Sequence, residues 1–395
     1  MFATRGVSPS RDEIVSAQPH VQPEGTEAVV KGHEAYVPPA RSQIIDPRLH
    51  RPDWTQSGSR DPRLLWLDKN ENTDPTLTGV VSRALAEMDP RVVSNYPDCS
   101  PLYQALSEYM GISPYSLVLA PGSDGVIGSV FRAFITPGDV VLQTRPTYAM
   151  YPVYARMCGA EVVALDYEAN VNGPFLTPDT LTHAIRARKP KLVCLPNPDS
   201  PTGTAFDPGA LRIIVETALT AGAAVLIDEA YYPFYPHSAV PWISDCPNVI
   251  VARTFSKAWG LAGLRLGYGV GAPETISLLH KVRPNYEVNM VAVALAVRMI
   301  TDFEHEMKAS VRRLNAGRDY FSSAMRELGL RTYSSEGSFS HVAFDGHAEA
   351  LHAALSKLVL YRKDADAPCL AGFSRFSATT VELIEPVIDC VRRVV

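Results

Sequence analysis

The stretch that most constrains this chain runs from Val249 to Gly271, VIVARTFSKAWGLAGLRLGYGVG. An apolar strand, 249–252, enters a small polar turn holding Lys257, and a second strand, 266–270, is entered through Arg265. A lysine in such a turn is a candidate Schiff-base amine. That chemistry needs the neutral form, which partial burial beside another cation supplies by lowering the ammonium pKa. Arg265 is a candidate for that cation and also for a phosphate clamp, helped by the hydroxyls of Thr254 and Ser256. A Ser-Lys pair alone reads as a surface turn, so the rest of the chain has to decide.

Length and balance narrow the class. With 395 residues the chain is long enough for a large domain and a smaller partner. Hydrophobic content of 46% and a net charge of −5 suit a globular protein and argue against general nucleic-acid affinity. No run reaches the roughly 18 apolar residues of a membrane span, and the first twenty residues lack a secretory h-region. The cytoplasm is the default location. Six scattered cysteines read as free thiols, and no histidine pair has ligand spacing, so no metal site is expected. Glycines at 122, 125 and 128, and at 267, 269 and 271, miss the dinucleotide fingerprint, which disfavours an NAD oxidoreductase.

Residues 1–60 are rich in Pro, Arg, Ser and Asp and read as an extended, partly disordered arm. Sixty residues without basic helical periodicity do not make the winged-helix module of a transcription regulator. Leu117–Ala120 reads as a buried strand, followed by Pro-Gly-Ser-Asp-Gly and a helix over 126–134. Strand, glycine turn and helix N-terminus make an anion site, with Ser123 and Asp124 at its mouth. The strand 223–227 ends in Asp228-Glu-Ala-Tyr231, a carboxylate at the carboxyl end of a buried strand, where α/β sheets bind ligands. Lys257 follows Asp228 by 29 residues.

Taken in order, these segments resemble fold-type I pyridoxal-phosphate (PLP) enzymes, closest to the histidinol-phosphate aminotransferase branch. The likeness runs from about Tyr36 to the C-terminus. It implies that Lys257 carries PLP as a Schiff base, that Asp228 pairs with the pyridine nitrogen, and that Tyr231 contacts the phenolic oxygen. It further implies that Arg265, Thr254, Ser256, Ser123 and Asp124 serve the phosphate and that Tyr148 stacks on the ring. Tyr96, in NYPDC, would cross a dimer interface to the other subunit's phosphate. Arg375 and Arg362 would hold a substrate anion, with Tyr36 (in AYVPPARSQII) and Asn72 (in DKNENTDP) at the mouth. One departure stands out in PNPDSPTGT: Ser200 replaces the asparagine whose amide donates to the phenolic oxygen, and serine is shorter.

The expected architecture is α/β: a mostly parallel seven-stranded sheet in a large PLP-binding domain over 106–285, the N-terminal part of the small domain together with interface over 61–105, and a smaller α+β C-terminal domain with a bridging helix over 286–395. A homodimer with shared active sites follows from the resemblance. The expected reaction is transfer of an amino group between an amino acid or amine and a keto acid or aldehyde. Because of Ser200, a PLP-dependent lyase, cyclase or replacement enzyme stands as the alternative.

Overall fold

The computed structural model describes residues 39–49, 59–363 and 365–395. Among the described residues twelve strands form three sheets: β1 (Leu65–Trp66), β2 (Leu117–Ala120), β3 (Val140–Arg145), β4 (Glu161–Asp166), β5 (Leu192–Pro196), β6 (Ala224–Asp228), β7 (Val249–Thr254), β8 (Gly267–Gly271), β9 (Arg331–Tyr333), β10 (Phe339–Ala343), β11 (Val359–Leu360) and β12 (Phe373–Ser377). The large sheet has seven strands in the order β2-β8-β7-β6-β5-β3-β4. Only β8 runs against its neighbours β2 and β7; the other pairings are parallel. β5 to β7 are almost entirely buried, which explains their runs of Val, Ile and Leu: a sheet covered by helices on both faces has no polar side to show.

Register brings the motifs together. Asp228 lies opposite Pro196 on one side and Ala252 on the other, so the loops after β5, β6 and β7 leave the sheet side by side. Because β8 is antiparallel, its first residue, Gly267, pairs with the last residues of both β2 and β7, Ala120 and Thr254. A Cβ at Gly267 would stand 2.4 Å from the carbonyl carbon of Gly122 and 2.6 Å from Ser123 N, so only glycine lets the helix Gly122–Phe134 start there.

The second sheet, β12-β10-β9, is antiparallel, and the helices Glu304–Glu327 and Val381–Arg392 pack on it. Its core joins Phe321, Val342, Phe344, Phe376 and Ile388 to Leu67, which arrives from the far end of the chain. That entry is secured by the parallel pair β1–β11.

Several local expectations shift. The helix after β2 begins at Gly122, not 126, since the glycine turn is itself its first turn. The bridging helix expected within 286–395 is two helices, Met290–Thr301 and Glu304–Glu327, and the later helix Ala348–Leu355 ends short of β11.

Candidate active site

After β7 the chain turns through Thr254, Phe255 and Ser256, and hydroxyls organise the turn. Ser256 N donates to Thr254 Oγ1 at 3.1 Å, and the two side-chain oxygens lie 2.9 Å apart. This aims Lys257 back over the sheet end, where its half-buried side chain donates from Nζ to the Lys69 carbonyl at 2.8 Å. Burial and then the positive charge of Arg375, with a weaker push from Arg265, bring its ammonium down to about 8, against the opposing charges of Glu71 and Asp228. The main cationic neighbour is therefore Arg375, not Arg265.

Arg265 adopts a left-handed backbone, φ +53°, and its Nη1 donates to Ser256 Oγ at 3.3 Å and to the Ala262 carbonyl at 3.1 Å. Its Nη2 would stand 2.8 Å from a Cβ at Gly122, whose φ is +78°. The guanidinium thus occupies the space that the missing side chain leaves. The Gly122–Phe134 helix has Pro121 at its N-cap and no side-chain cap, so its first N–H groups, at Ser123 and Asp124, add to the cradle of Arg265, Ser256 and Thr254. Asp124 itself is engaged by two phenols, Tyr154 at 3.1 Å and Tyr148 at 3.4 Å. Tyr148 also meets Tyr151 edge to face.

The carboxylates of Asp228-Glu229 part company. Asp228, 5% exposed, accepts from Ala230 N at 3.1 Å and lies 3.4 Å from the Tyr151 hydroxyl. Burial pushes its carboxyl up to about 7, so a cationic partner would restore the charged form. Glu229 is structural: it pairs with buried Arg253 and accepts from Ala239 N. In the loop after β5, buried Asp199 ties Thr144 to Thr202, while Ser200 is a neighbour of the Tyr231 phenol.

Arg362 and Arg375 face each other across an antiparallel bridge. Both reach the Asp68 carbonyl, Arg362 Nε at 3.2 Å and Arg375 Nη2 at 3.3 Å. The guanidinium of Arg375 lies 5.3 Å from the centre of the Phe339 ring, and its buried Nε has no hydrogen-bond partner. A buried guanidinium holding free donor capacity is a receptor for an anion. Asn72 spends its amide on the Ala258 carbonyl and Ser310 Oγ, both at 3.1 Å, bracing the lysine turn against the Glu304–Glu327 helix. Two residues earlier, buried Asn70 donates to the Tyr231 hydroxyl at 2.7 Å; sequence reasoning did not single it out. Tyr96 is 78% exposed and stacks on Tyr286 at 4.5 Å. Tyr36 lies outside the described residues.

These parts fit pyridoxal 5'-phosphate: a cationic and backbone N–H cradle, a buried carboxylate in want of a cation, an amine with lowered pKa, and a buried phenol held by Asn70. Residues 62–391 match the family described as aminotransferase class I and II. A histidinol-phosphate aminotransferase from Roseiflexus castenholzii is 35% identical over 286 residues, 70% of this chain and 74% of that one. Another from Geobacter sulfurreducens is 32% identical over 335 residues, covering 83% and 92%. The crystal structure of histidinol-phosphate aminotransferase from Sinorhizobium meliloti in complex with pyridoxal-5'-phosphate superposes with a TM-score of 0.70 at 25% identity, over 84% of this chain and 92% of that one. The cofactor is therefore PLP, and this chain belongs to the class I and II aminotransferases, as a PLP-dependent transferase with fold-type I architecture.

Proposed function

We propose that this aminotransferase acts on an amino compound with an anionic end, held by Arg375 and Arg362, and passes its amino group to a keto acid or aldehyde. One observation carries the reading: three successive residues collect the working groups. The Asp68 carbonyl takes both arginines, the Lys69 carbonyl takes Lys257 Nζ, and the Asn70 amide takes Tyr231.

Bound through Lys257, PLP draws electrons from the bonds at the amino-bearing carbon once its ring nitrogen is protonated. Asp228 supplies the buried counter-charge that keeps that proton in place. Lys257 Nζ would hold the cofactor and, as a free amine with its proton affinity lowered, would serve as the base and acid that moves the proton of the amino-bearing carbon. Arg265, Ser256, Thr254 and the first turn at Ser123 and Asp124 hold the phosphate, and Tyr148 covers a ring face. Tyr96 and Val93, 78% and 79% exposed, belong to a homodimer interface through which Tyr96 reaches the other subunit's phosphate. The cofactor is carried by a large domain over 106–285, flanked by 61–105 and a smaller domain over 286–395, and we retain the cytoplasm as location. Among the described residues no helix is long and apolar enough to cross a membrane.

The test is nitrogen transfer. With an ¹⁵N-labelled amino donor, histidinol phosphate first because its relatives carry that name, the label should appear on the keto acid acceptor. Ser200 beside Tyr231 favours the second reading, a lyase, cyclase or replacement enzyme; release of labelled ammonia or a new carbon bond without a keto acid would select it.

A further inference from the structure

Tyr231 has a single proton to donate, and its direction is decided by its neighbours. Asn70 Nδ2 lies 2.7 Å from the phenol oxygen. Which end of an amide faces a partner follows from the bonds of the other end. Here the other end is held by Ser377, whose Oγ accepts from Asn70 N at 2.8 Å and donates back to Asn70 Oδ1 at 3.2 Å. The Ser377 hydroxyl has one hydrogen, and it is spent on Oδ1. In this arrangement Asn70 presents its NH₂ to Tyr231, and an NH₂ only donates. The Ser377 backbone is pinned in turn by the Leu67 carbonyl at 2.9 Å, and Asn70 sits at φ +55°, a left-handed conformation that asparagine tolerates better than most residues.

We infer that Asn70 is a positioning residue of the reaction: by donating to the Tyr231 oxygen from one side, it forces the phenol hydrogen out on the other. The inference rests on the reading in which Tyr231 serves the cofactor's phenolic oxygen. Ser200, the other hydroxyl near Tyr231, rotates to donate or accept and does not set a direction. Asn70 does, through a one-way chain from Ser377 to the amide to the phenol. In a chain with serine where the family has an asparagine, the oriented phenol is the full-length donor left to the phenolic oxygen. Such a donor stabilises the negative oxygen and so lowers the proton affinity of the linkage between Lys257 and the cofactor.

The experiment titrates the visible absorbance of the PLP-loaded enzyme against pH, without substrate. Tyr231→Phe should raise the midpoint. Asn70→Gly keeps the left-handed backbone and removes only the amide; it should raise the midpoint by roughly half a pH unit to one, the worth of one hydrogen bond, and should add nothing in a Tyr231→Phe background. Ser377→Ala, which lets the amide turn over, should move it the same way by less. If Tyr231→Phe shifts the midpoint while Asn70→Gly and Ser377→Ala do not, or if Asn70→Gly shifts it equally without the phenol, the inference fails and the reading of Tyr231 stands. If Tyr231→Phe shifts nothing, both fall.

Discussion

At the anion cradle, Thr254, Ser256, Arg265 and the helix that starts at Gly122 all flank neighbouring strands of one sheet, and residues 255–266 join two of those strands directly. At the arginine end, Asp68 and Asn70 meet Arg375 and Ser377 across 307 residues of chain in each case, and the contacts cross from the segment that follows β1 to the second sheet. One end is held by a register that every neighbouring strand enforces; the other is held by three residues docked on a separate sheet. The first kind of construction suits a group that stays, and the second suits a group that must come and go with each turnover.

Lys257 is the point where this division should break down, since its turn belongs to the cradle and its amine rests on Lys69 at the arginine end. Lys257→Ala should cost the most, roughly 10²- to 10⁴-fold or more in turnover measured with saturating cofactor, because in the proposed function it takes away both the covalent anchor and the proton carrier. Next come the two arginines, which should separate the ends. Arg265→Ala should weaken PLP binding by roughly 10- to 100-fold and leave the substrate KM unchanged once cofactor is saturating; Arg375→Ala should lower kcat/KM by a similar factor and change cofactor affinity far less, through the Lys257 amine alone. Spectroscopic titration with PLP and steady-state kinetics read the two quantities apart. If each variant damaged both, the ends would be one unit.

The same contrast explains what could be read from the chain. Lys257, Asp228 and Arg265 announce themselves because their meaning is local: a lysine between two strands, a carboxylate ending a buried run, an arginine eight residues on. The seven-strand sheet is legible for the same reason, being made of short apolar runs between turn signals. What the chain hides is long-range. Nothing in DKNENTDP separates Asn70 from Asn72, since both are short amides two residues apart; only docking against Ser377 and Tyr231 on one side and Ser310 on the other assigns them. Arg375 as the main charge acting on Lys257 was invisible because it stands 118 positions further along the chain. The pair β1–β11 joins residues near 65 and 360 through two-residue strands with no pattern of their own.

A smaller effect should sharpen the picture of the cradle as a packed object. Gly267→Ala puts a methyl against the Gly122 carbonyl carbon and Ser123 N, backbone atoms that can yield only by moving the helix start. Overpacking of this kind costs about 2 kcal/mol, to be seen as a lower thermal midpoint of the apo-protein, and PLP affinity should fall with it while binding of a substrate-like anion at the other end persists.

The smallest predicted effect is on rate and tests whether the two ends share a charge. The amine of Lys257 captures cofactor only when neutral, and with its ammonium held near 8 the neutral fraction grows as pH rises and levels off above that value. Stopped-flow mixing of the apo-protein with PLP should therefore show capture speeding up by roughly tenfold between pH 7 and pH 9, against a plateau not reached until well above pH 10 for an ordinary lysine. Arg375 is the leading charge holding the ammonium down, so Arg375→Ala should push the midpoint of this rise upward although it touches no part of the cradle, and Arg265→Ala should do so by less. A midpoint that moved more with Arg265→Ala would return the lysine to the cradle end alone, and the arginine end would then be a substrate receptor with no hand in setting the amine.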